Sequence, residues 1–278
     1  MNKQLVLILF EEDDNEIVDY AVVTDDVPKR TKKGDIWQLG KHRLMCGDST
    51  SDDVIKLLNG SKIDGVFTDP PYGMKLDTDY STIKTRLEFS KDKSLRGGNK
   101  YNLVLGDNED FKPQLITTIF KNFRNCKEIF IWGADYYPEL LENYKEGNLL
   151  IWDKRLTESA DKGIGSCFEI LWSKSKHKKD IFRVKWFGLF GLEQEPEKKR
   201  FHPTQKPIEL CKLFLNKYFK PNEKICDLYG GSGSTLIACE ITNRICYMME
   251  LDEHYVDVIL YRWETLTRQE AQLIYRKD

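Results

Sequence analysis

Residues 224–235 read KICDLYGGSGST, and this stretch decides the fold class of the 278-residue chain. The apolar run Lys224–Leu228 predicts a buried strand, a glycine-rich turn follows it, and helical spacing begins at Ser234. A second apolar run, Arg244–Met249, predicts the next strand and ends at Glu250, 17 residues after the last glycine of the turn. Glycines let a backbone approach a ligand closely, and an acid in that place accepts hydrogen bonds from ribose hydroxyls. The complete order predicts a site for an adenosine-containing cofactor, whereas the glycines alone also fit a tight connection.

Strand-like and helix-like patterns alternate along most of the chain. Short apolar runs that predict further strands occur at Asp35–Leu39, Arg43–Cys46, Ile63–Thr68, Glu128–Trp132, Asn148–Trp152 and Cys167–Trp172. Helical patterns occur at Val54–Leu58, Phe111–Phe123, Tyr137–Tyr144, Pro207–Tyr218, Ser234–Glu240 and Tyr255–Leu266. This alternation predicts an α/β fold, in which a mostly parallel sheet carries helices on both faces.

Two segments stand outside the alternation. Residues 1–33 are predicted to form an N-terminal β-hairpin and a charged linker, so that residues 34–278 make up the main domain. Within that domain, residues 73–110 are polar and charged and contain Gly97-Gly98. A segment of this length without regular structure predicts a mobile loop with a functional role.

The tetrapeptide Asp69-Pro70-Pro71-Tyr72 directly follows the strand-like run Ile63–Thr68. Two consecutive prolines have a fixed φ and no N–H groups, so the turn is rigid and has no donors of its own for its acceptors. The Asp69 carboxylate and the Pro70 carbonyl therefore match the two N–H donors of an exocyclic amino group, and Tyr72 offers a flat face on which a base can stack. The alternative is a strand-ending turn with a buried tyrosine.

The charged residues are unevenly distributed, although the net charge is only −2 from 43 basic and 45 acidic residues. One basic run lies between residues 174 and 186 and includes Lys176, Lys178, Lys179, Arg183 and Lys185. A second basic stretch lies between residues 84 and 100. Such runs bind phosphate or form an ordinary solvated face, and both interpretations stay open.

Other features narrow the class of protein. The seven cysteines show no CxxC spacing and the four histidines are scattered, which predicts reduced thiols and no metal site. Apolar runs are too short to cross a membrane, and acidic residues follow the first one immediately. We therefore expect a soluble, cytoplasmic protein with no membrane partner.

The two motifs together resemble those of the S-adenosylmethionine-dependent amino-methyltransferases of DNA. DPPY at 69–72 precedes DLYGGSGS at 227–234, and this order is similar to the β group of that family. The resemblance extends from about residue 34 to residue 263. Further matching pieces are Gly47-Asp48, IFIWG at 129–133, LIWDK at 150–154 and HPTQKP at 202–207. Leu228 and Tyr229 depart from the usual pattern, which has Pro and Phe there.

The resemblance implies a Rossmann-like sheet of seven strands with one of them antiparallel, a small DNA-recognition insertion, and a set of cofactor contacts. S-adenosylmethionine would rest on the glycine loop, with Glu250 on its ribose, Asp48 on its adenine, and Thr204 and Lys206 near its methionine carboxylate. The loop residues implied in binding are Asp227, Tyr229, Gly230, Gly231, Ser232, Gly233, Ser234 and Thr235. A sulfonium methyl group is already electrophilic, so no metal is expected.

The implied reaction is methyl transfer to adenine N6 of a base flipped out of double-stranded DNA, because Asp first in the tetrapeptide is commoner in adenine enzymes. The implied catalytic residues are Asp69, Pro70, Pro71 and Tyr72. Residues 173–201 are the predicted target-recognition segment, and the five basic residues named above are the predicted DNA-binding residues. A homodimer and a separate restriction endonuclease are further candidate partners.

Several alternatives remain at this point. A cytosine N4 methyltransferase would use the same pocket, and a non-catalytic module could keep the cofactor site and bind DNA. A nicotinamide dehydrogenase has no use for the tetrapeptide. Related enzymes that act on RNA bases or protein glutamine usually carry the two motifs in the opposite order.

Overall fold

The computed structural model describes residues 27–73, 111–155, 166–184 and 205–276. The predicted hairpin within residues 1–24, nearly all of the predicted loop 73–110, and residues 185–201 of the predicted recognition segment lie outside this part of the chain. The division of the chain at residue 33 stays a prediction.

The described residues contain ten strands and five α-helices. The strands are β1 (Ile36–Leu39), β2 (His42–Cys46), β3 (Gly65–Thr68), β4 (Glu128–Trp132), β5 (Asn148–Asp153), β6 (Phe168–Ser173), β7 (Ile181–Arg183), β8 (Lys224–Asp227), β9 (Ile245–Glu250) and β10 (Gln272–Tyr275). The helices are α1 (Asp53–Leu58), α2 (Gln114–Phe123), α3 (Ile208–Tyr218), α4 (Ser234–Ile241) and α5 (Glu253–Thr267).

All ten strands of the described residues belong to one sheet, in the order β10-β1-β2-β9-β8-β3-β4-β6-β5-β7. The five central strands, from β2 to β4, are parallel to one another. Strands β1 and β6 are antiparallel to their neighbours, and the remaining strands have the same direction as the centre. The predicted α/β class is confirmed, with ten strands where the resemblance implied seven and two antiparallel strands where it implied one.

The strand order reverses between β3 and β8. From β8 the chain passes through α4 to β9 on one side, whereas from β3 it passes through α2 to β4 on the other side. A crevice therefore opens outside the carboxyl ends of these two neighbouring strands, which is where open α/β sheets bind ligands. Both predicted motifs begin at this point.

Alternating residues of the strands supply two separate cores. On one face Phe67 and Phe130 join the apolar sides of α3, α4 and α5, and on the other Val66 and Ile129 join α1 and α2. Because successive side chains of a strand point to opposite faces, strands covered on both sides must be apolar throughout. This requirement explains why the central strands were readable as continuous apolar runs.

Three secondary-structure predictions were wrong or incomplete. Tyr137–Tyr144 is not a helix but two short 3-10 turns, Pro138–Leu140 and Tyr144–Glu146, separated by the extended Leu141 and by Asn143 at φ 56°. Strands β7 and β10 were not predicted. Each is only three or four residues long and largely exposed, so neither shows the apolar pattern of a buried strand.

Helix α3 should make a large contribution to stability through Phe214. Its ring is fully buried, with its centroid 3.9 Å from that of Phe182 and 5.4 Å from that of Phe67. We expect Phe214→Ala to lower the free energy of unfolding by about 3–5 kcal/mol, because a buried aromatic ring is replaced by a cavity. The neighbouring Leu213→Ala, at a half-exposed position, should cost about 0.5 kcal/mol or less. Urea denaturation of both variants checks this, and equal losses would contradict the packing of α3.

Candidate functional site

A buried hydrogen bond joins the ends of β3 and β8. The Thr68 hydroxyl donates to the Asp227 carboxylate at 2.7 Å, and the Leu228 N–H donates to the same hydroxyl at 3.1 Å. The Tyr229 N–H also donates to Asp227, at 3.1 Å. The residue directly before the tetrapeptide is therefore bonded to the first residue of the glycine-loop motif, although 159 positions separate the two in sequence.

The Asp227 carboxyl lies in an unusual electrostatic setting. Burial raises its pKa to about 7, and the nearby charge of Asp69 adds to this effect. The hydrogen bonds from Thr235, Thr68 and Tyr229 act in the opposite direction, because they favour the ionised form. Asp227 therefore holds the glycine loop through the hydrogen bonds that it accepts, although burial destabilises the ionised form of its carboxyl group.

The glycine loop is fastened to the end of β9. The Gly231 N–H donates to one oxygen of Glu250 at 2.7 Å, and the Asp252 N–H donates to the other at 2.9 Å. Gly233 has a φ of +87° and leads directly into α4, a backbone conformation that side chains rarely allow. Burial raises the pKa of Glu250 to about 7, opposed by these N–H donors. The arrangement presents an oriented carboxyl group beside the loop.

The remaining loop residues and Asp48 complete this side of the crevice. Ser232, Ser234 and Thr235 are buried, and the Ser234 hydroxyl has no hydrogen-bond partner within the described part of the chain. Asp48 follows β2 and accepts from the N–H and hydroxyl of Thr50 at 2.8 and 2.7 Å, both through the same oxygen. Its neighbour Gly47 donates to the Glu250 carbonyl at 2.9 Å.

The Asp69 carboxylate is contacted on both oxygens by side chains of the chain itself. The Tyr72 hydroxyl donates to one oxygen and the Lys206 ammonium to the other. Lys206 also lies 3.0 Å from Glu169, and Glu169 contacts Lys154 in turn. All four charged side chains are less than one third exposed. The resemblance implied a catalytic Asp69 and a Lys206 near the methionine carboxylate of the cofactor, but not their contact with each other. The sequence carried no signal for Glu169 and assigned no role to Lys154.

The lysines paired with Asp69 and Glu169 influence the pKa values of the two carboxyl groups. Burial raises the pKa of Asp69, and the charge of Glu169 adds to the rise, whereas Lys206 and the Tyr72 hydroxyl oppose it. Burial also acts to raise the pKa of Glu169, but Lys206 and Lys154 outweigh it and lower the value to about 2. Glu169 therefore stays ionised throughout the neutral range.

Aromatic rings form one wall beside Asp69. Tyr72 stacks on Tyr136, with centroids 5.0 Å apart and 9° between the planes, and Tyr136 is 53% exposed. A Cβ atom at Gly133 would lie 2.3 Å from the Tyr72 ring, so the glycine is what allows the ring to approach the backbone after β4. Phe111 and Tyr137 stack behind this pair. The Tyr72 ring is flat and its stacking neighbour Tyr136 faces solvent, so this wall suits the stacking of a planar ligand.

The predicted DNA-binding residues do not lie together. Because β6 is antiparallel, the residues after it lie at the amino edge of the sheet, where His177 contacts Glu128 at the start of β4. The exposed Lys176, Lys178 and Lys179 are therefore at the edge opposite Asp69, roughly 15 Å away along the strands. Arg183 ends β7 at the same edge as Asp69 and is 61% exposed.

Two of the predicted site residues, a metal site and a membrane span remain to be considered. Lys185 and Thr204 lie outside the described residues. Within the described ranges there is no cluster of His, Cys, Asp and Glu that could hold a metal ion. The same ranges contain no helix long and apolar enough to cross a membrane.

Comparison with known proteins matches residues 63–261 to the N6/N4 methyltransferase family, described as DNA methylase. The type II methyltransferase M2.MboI of Moraxella bovis is 24% identical over 247 residues, covering 77% of this chain and 85% of that protein. The type II methyltransferase M.HinfI of Haemophilus influenzae is 24% identical over 242 residues, covering 73% of this chain and 64% of that protein.

Similar folds occur among solved structures. The cytosine-N4-specific PvuII DNA methyltransferase is 15% identical with a TM-score of 0.48, covering 83% of this chain and 92% of its own. The M1.HpyAVI–SAM complex is 16% identical with a TM-score of 0.47, covering 79% of this chain and 97% of its own.

The burial of Asp227 should make the stability of the protein depend on pH. The pKa of about 7 in the folded state exceeds the ordinary value of 3.8, so the folded state holds a proton that the unfolded chain has released. The stabilisation is complete below about pH 4 and is lost as the pH rises through 7, by up to about 1.4 kcal/mol per pH unit. We expect Asp227→Asn to flatten part of the fall in unfolding free energy between pH 5 and 7.5, because the raised pKa values of Glu250 and Asp69 contribute in the same sense.

Urea denaturation at several pH values measures this slope. Asp52→Asn makes the same chemical change at an exposed position and should leave the slope as in the parent. A slope unchanged by Asp227→Asn would contradict the electrostatic account of this residue.

Proposed function

Since this chain belongs to the N6/N4 family of DNA methylases, we propose that it transfers the methyl group of S-adenosylmethionine to the N6 amino group of an adenine in double-stranded DNA. One observation supports the proposal above all others. The rigid Asp69–Tyr72 turn and the glycine loop are bonded together at the switch in strand order, through Thr68 and Asp227. An amino-group acceptor and a nucleoside site therefore share one crevice.

The residues of the crevice fit S-adenosylmethionine. Each Glu250 oxygen already accepts one N–H and keeps a lone pair for a ribose hydroxyl. One oxygen of Asp48 accepts both bonds from Thr50, so the other is oriented for an amino donor. The unpartnered Ser234 hydroxyl opens α4, whose first N–H groups favour a negative group. When bound, the cofactor supplies a methyl group on a sulfonium, an electrophile that needs no metal.

The chain's own residues act mainly by orientation. Adenine N6 is a weak nucleophile because its lone pair is delocalised into the ring. In the proposed reaction, Asp69 and the Pro70 carbonyl accept its two N–H groups, which localises the lone pair and directs it at the methyl group. Asp69 then takes up the proton that N6 loses. Preorganised acceptors of this kind lower the barrier without reorganisation during the reaction.

A base must leave the helix to reach this turn. Flipping costs a few kcal/mol, and stacking on an aromatic ring returns about 1–3 kcal/mol. Tyr72 provides such a ring, and Tyr136 covers it at 5.0 Å in this structure. The proposed path of the base therefore requires Tyr136 to turn aside, which its exposure allows.

The product distinguishes adenine from cytosine as the target. We expect labelled methyl groups to appear in DNA as N6-methyladenine when the protein and S-adenosylmethionine are incubated with unmodified duplex. Nucleoside analysis by mass spectrometry measures this. N4-methylcytosine as the product would keep the family assignment and overturn the proposed base, whereas no incorporation into any DNA would contradict the activity itself.

The role of Asp69 is tested by Asp69→Ala. We expect the single-turnover rate to fall about 100- to 1000-fold with the affinity for S-adenosylmethionine nearly unchanged, because an acceptor used in the transition state is removed. Asp52→Ala removes an exposed carboxylate and serves as the matched control. A rate within a few-fold of the parent would show that Asp69 does not orient the amino group.

Among the predicted DNA-binding residues that the structure describes, Arg183 is the one at the same edge of the sheet as Asp69, which makes it the candidate for a DNA phosphate near the target base. We expect Arg183→Gln to weaken binding equally on all sequences and to reduce the log–log salt slope by about 0.9. Phosphate binding by Lys176, Lys178 and Lys179 remains a prediction, but their position argues against it, so the triple substitution to Gln should leave the affinity unchanged. Fluorescence anisotropy at several salt concentrations separates the two. A loss only in the triple variant would show that DNA binds at the amino edge.

A further inference from the structure

Four charged side chains form one chain of contacts beside the crevice. Lys154 contacts one oxygen of Glu169, Lys206 lies 3.0 Å from the other, and Lys206 also contacts Asp69. Their exposed fractions are 18% for Lys154, 28% for Glu169, 11% for Lys206 and 19% for Asp69. Two ammonium groups and two carboxylates sum to zero, so the cluster is electrically balanced.

Lys206 creates a conflict for the proposed reaction. The amino group of the base needs an oxygen of Asp69, yet the Tyr72 hydroxyl contacts one oxygen and Lys206 contacts the other. A buried ammonium cannot leave a carboxylate without another partner, because an unpaired charge in such a place costs several kcal/mol. Lys206 therefore needs a second acceptor within reach.

Glu169 is that acceptor. Among the described residues, Glu169 is the carboxylate besides Asp69 that contacts Lys206, and the face of Trp132 lies 5.3 Å from the Lys206 ammonium. We propose that Glu169 is a positioning residue that receives Lys206 when the amino group of the base binds Asp69, and that Lys154 holds Glu169 in place for this exchange. The inference rests on the proposed function, and it adds to it the step by which Asp69 becomes available.

The ionisable groups around Asp69 determine how the reaction rate depends on pH. Tyr72 lies on its own turn, Glu169 on β6, Lys154 after β5, Lys206 before α3, Tyr137 after β4 and Asp227 at the end of β8. Of these, Glu169 is the carboxylate that shares a lysine with Asp69. Without the negative charge of Glu169, Lys206 pairs with Asp69 alone. The pKa of Asp69 should then fall, and its carboxylate should be harder to separate from Lys206.

The first experiment compares Glu169→Gln with the parent at saturating cofactor. We expect the single-turnover rate at neutral pH to fall roughly tenfold or more, within the range of couplings in one polar network. The acid limb of the rate profile should move to lower pH, because Asp69 loses a neighbouring negative charge. Affinity for S-adenosylmethionine, measured by calorimetry, should stay within about threefold of the parent. Glu209→Gln removes the exposed partner of Lys212 on α3, a carboxylate outside the four-residue cluster, and serves as the matched control.

A second pair of variants separates this role from a purely structural one. The double variant Lys154→Gln/Glu169→Gln removes the Glu169 carboxylate but keeps the cluster neutral. It should show the same loss of rate as Glu169→Gln, and it replaces that variant if Glu169→Gln does not fold. In a Lys206→Gln background, Glu169→Gln should cost less than about twofold, because Glu169 acts through Lys206. Full additivity of the two losses, or an unshifted acid limb in an active, folded Glu169→Gln variant, would overturn the inference. An inactive parent would instead contradict the proposed function.

Discussion

The hydrogen bond from Thr68 to Asp227 is the constraint on which the rest of the site depends. It lies where two neighbouring parallel strands end and their chains turn away in opposite directions, beyond the last backbone-paired residues, Val66 and Cys226. With that bond in place, the proline-rich turn and the glycine loop become walls of one crevice. The third wall is the end of β9, joined to the glycine loop through Glu250.

A second property of the crevice is its concentration of acceptors. Asp48, Asp69, Asp227 and Glu250 all lie where parallel strands end, and burial raises the pKa of the last three. Backbone N–H groups compensate Glu250, an N–H group and hydroxyls compensate Asp227, and Asp69 has a lysine in addition to the Tyr72 hydroxyl. Such an edge is suited to ligands rich in donors, and a nucleoside with its ribose hydroxyls and amino group is a ligand of that kind. Lys206 is the one donor of this edge that carries a full positive charge among the contacts named here, and it lies between Asp69 and Glu169.

The sequence allowed the central fold and both motifs to be predicted, because each depends on local order. A buried strand followed by a glycine turn and a helix is visible within thirty residues, and two prolines make their turn rigid wherever they stand. Glu169 could not be found in the same way. It reaches Lys206 only because β6 runs antiparallel and brings its first residues, not its last, to the carboxyl edge. The same reversal carries Lys176, Lys178 and Lys179 to the far edge, and no local pattern reveals the direction of a strand.

The central claim is that Asp69 and the Pro70 carbonyl hold an exocyclic amino group while the glycine loop holds the cofactor. The most direct measurement is a crystal structure of the protein with a target duplex and a non-reactive analogue of S-adenosylmethionine. The account predicts a flipped adenine whose N6 lies within hydrogen-bond distance, about 2.7–3.2 Å, of both oxygens, with its ring on Tyr72 and Lys206 moved onto Glu169. A flipped base whose amino group lies away from Asp69, or an analogue bound away from Glu250, would contradict it.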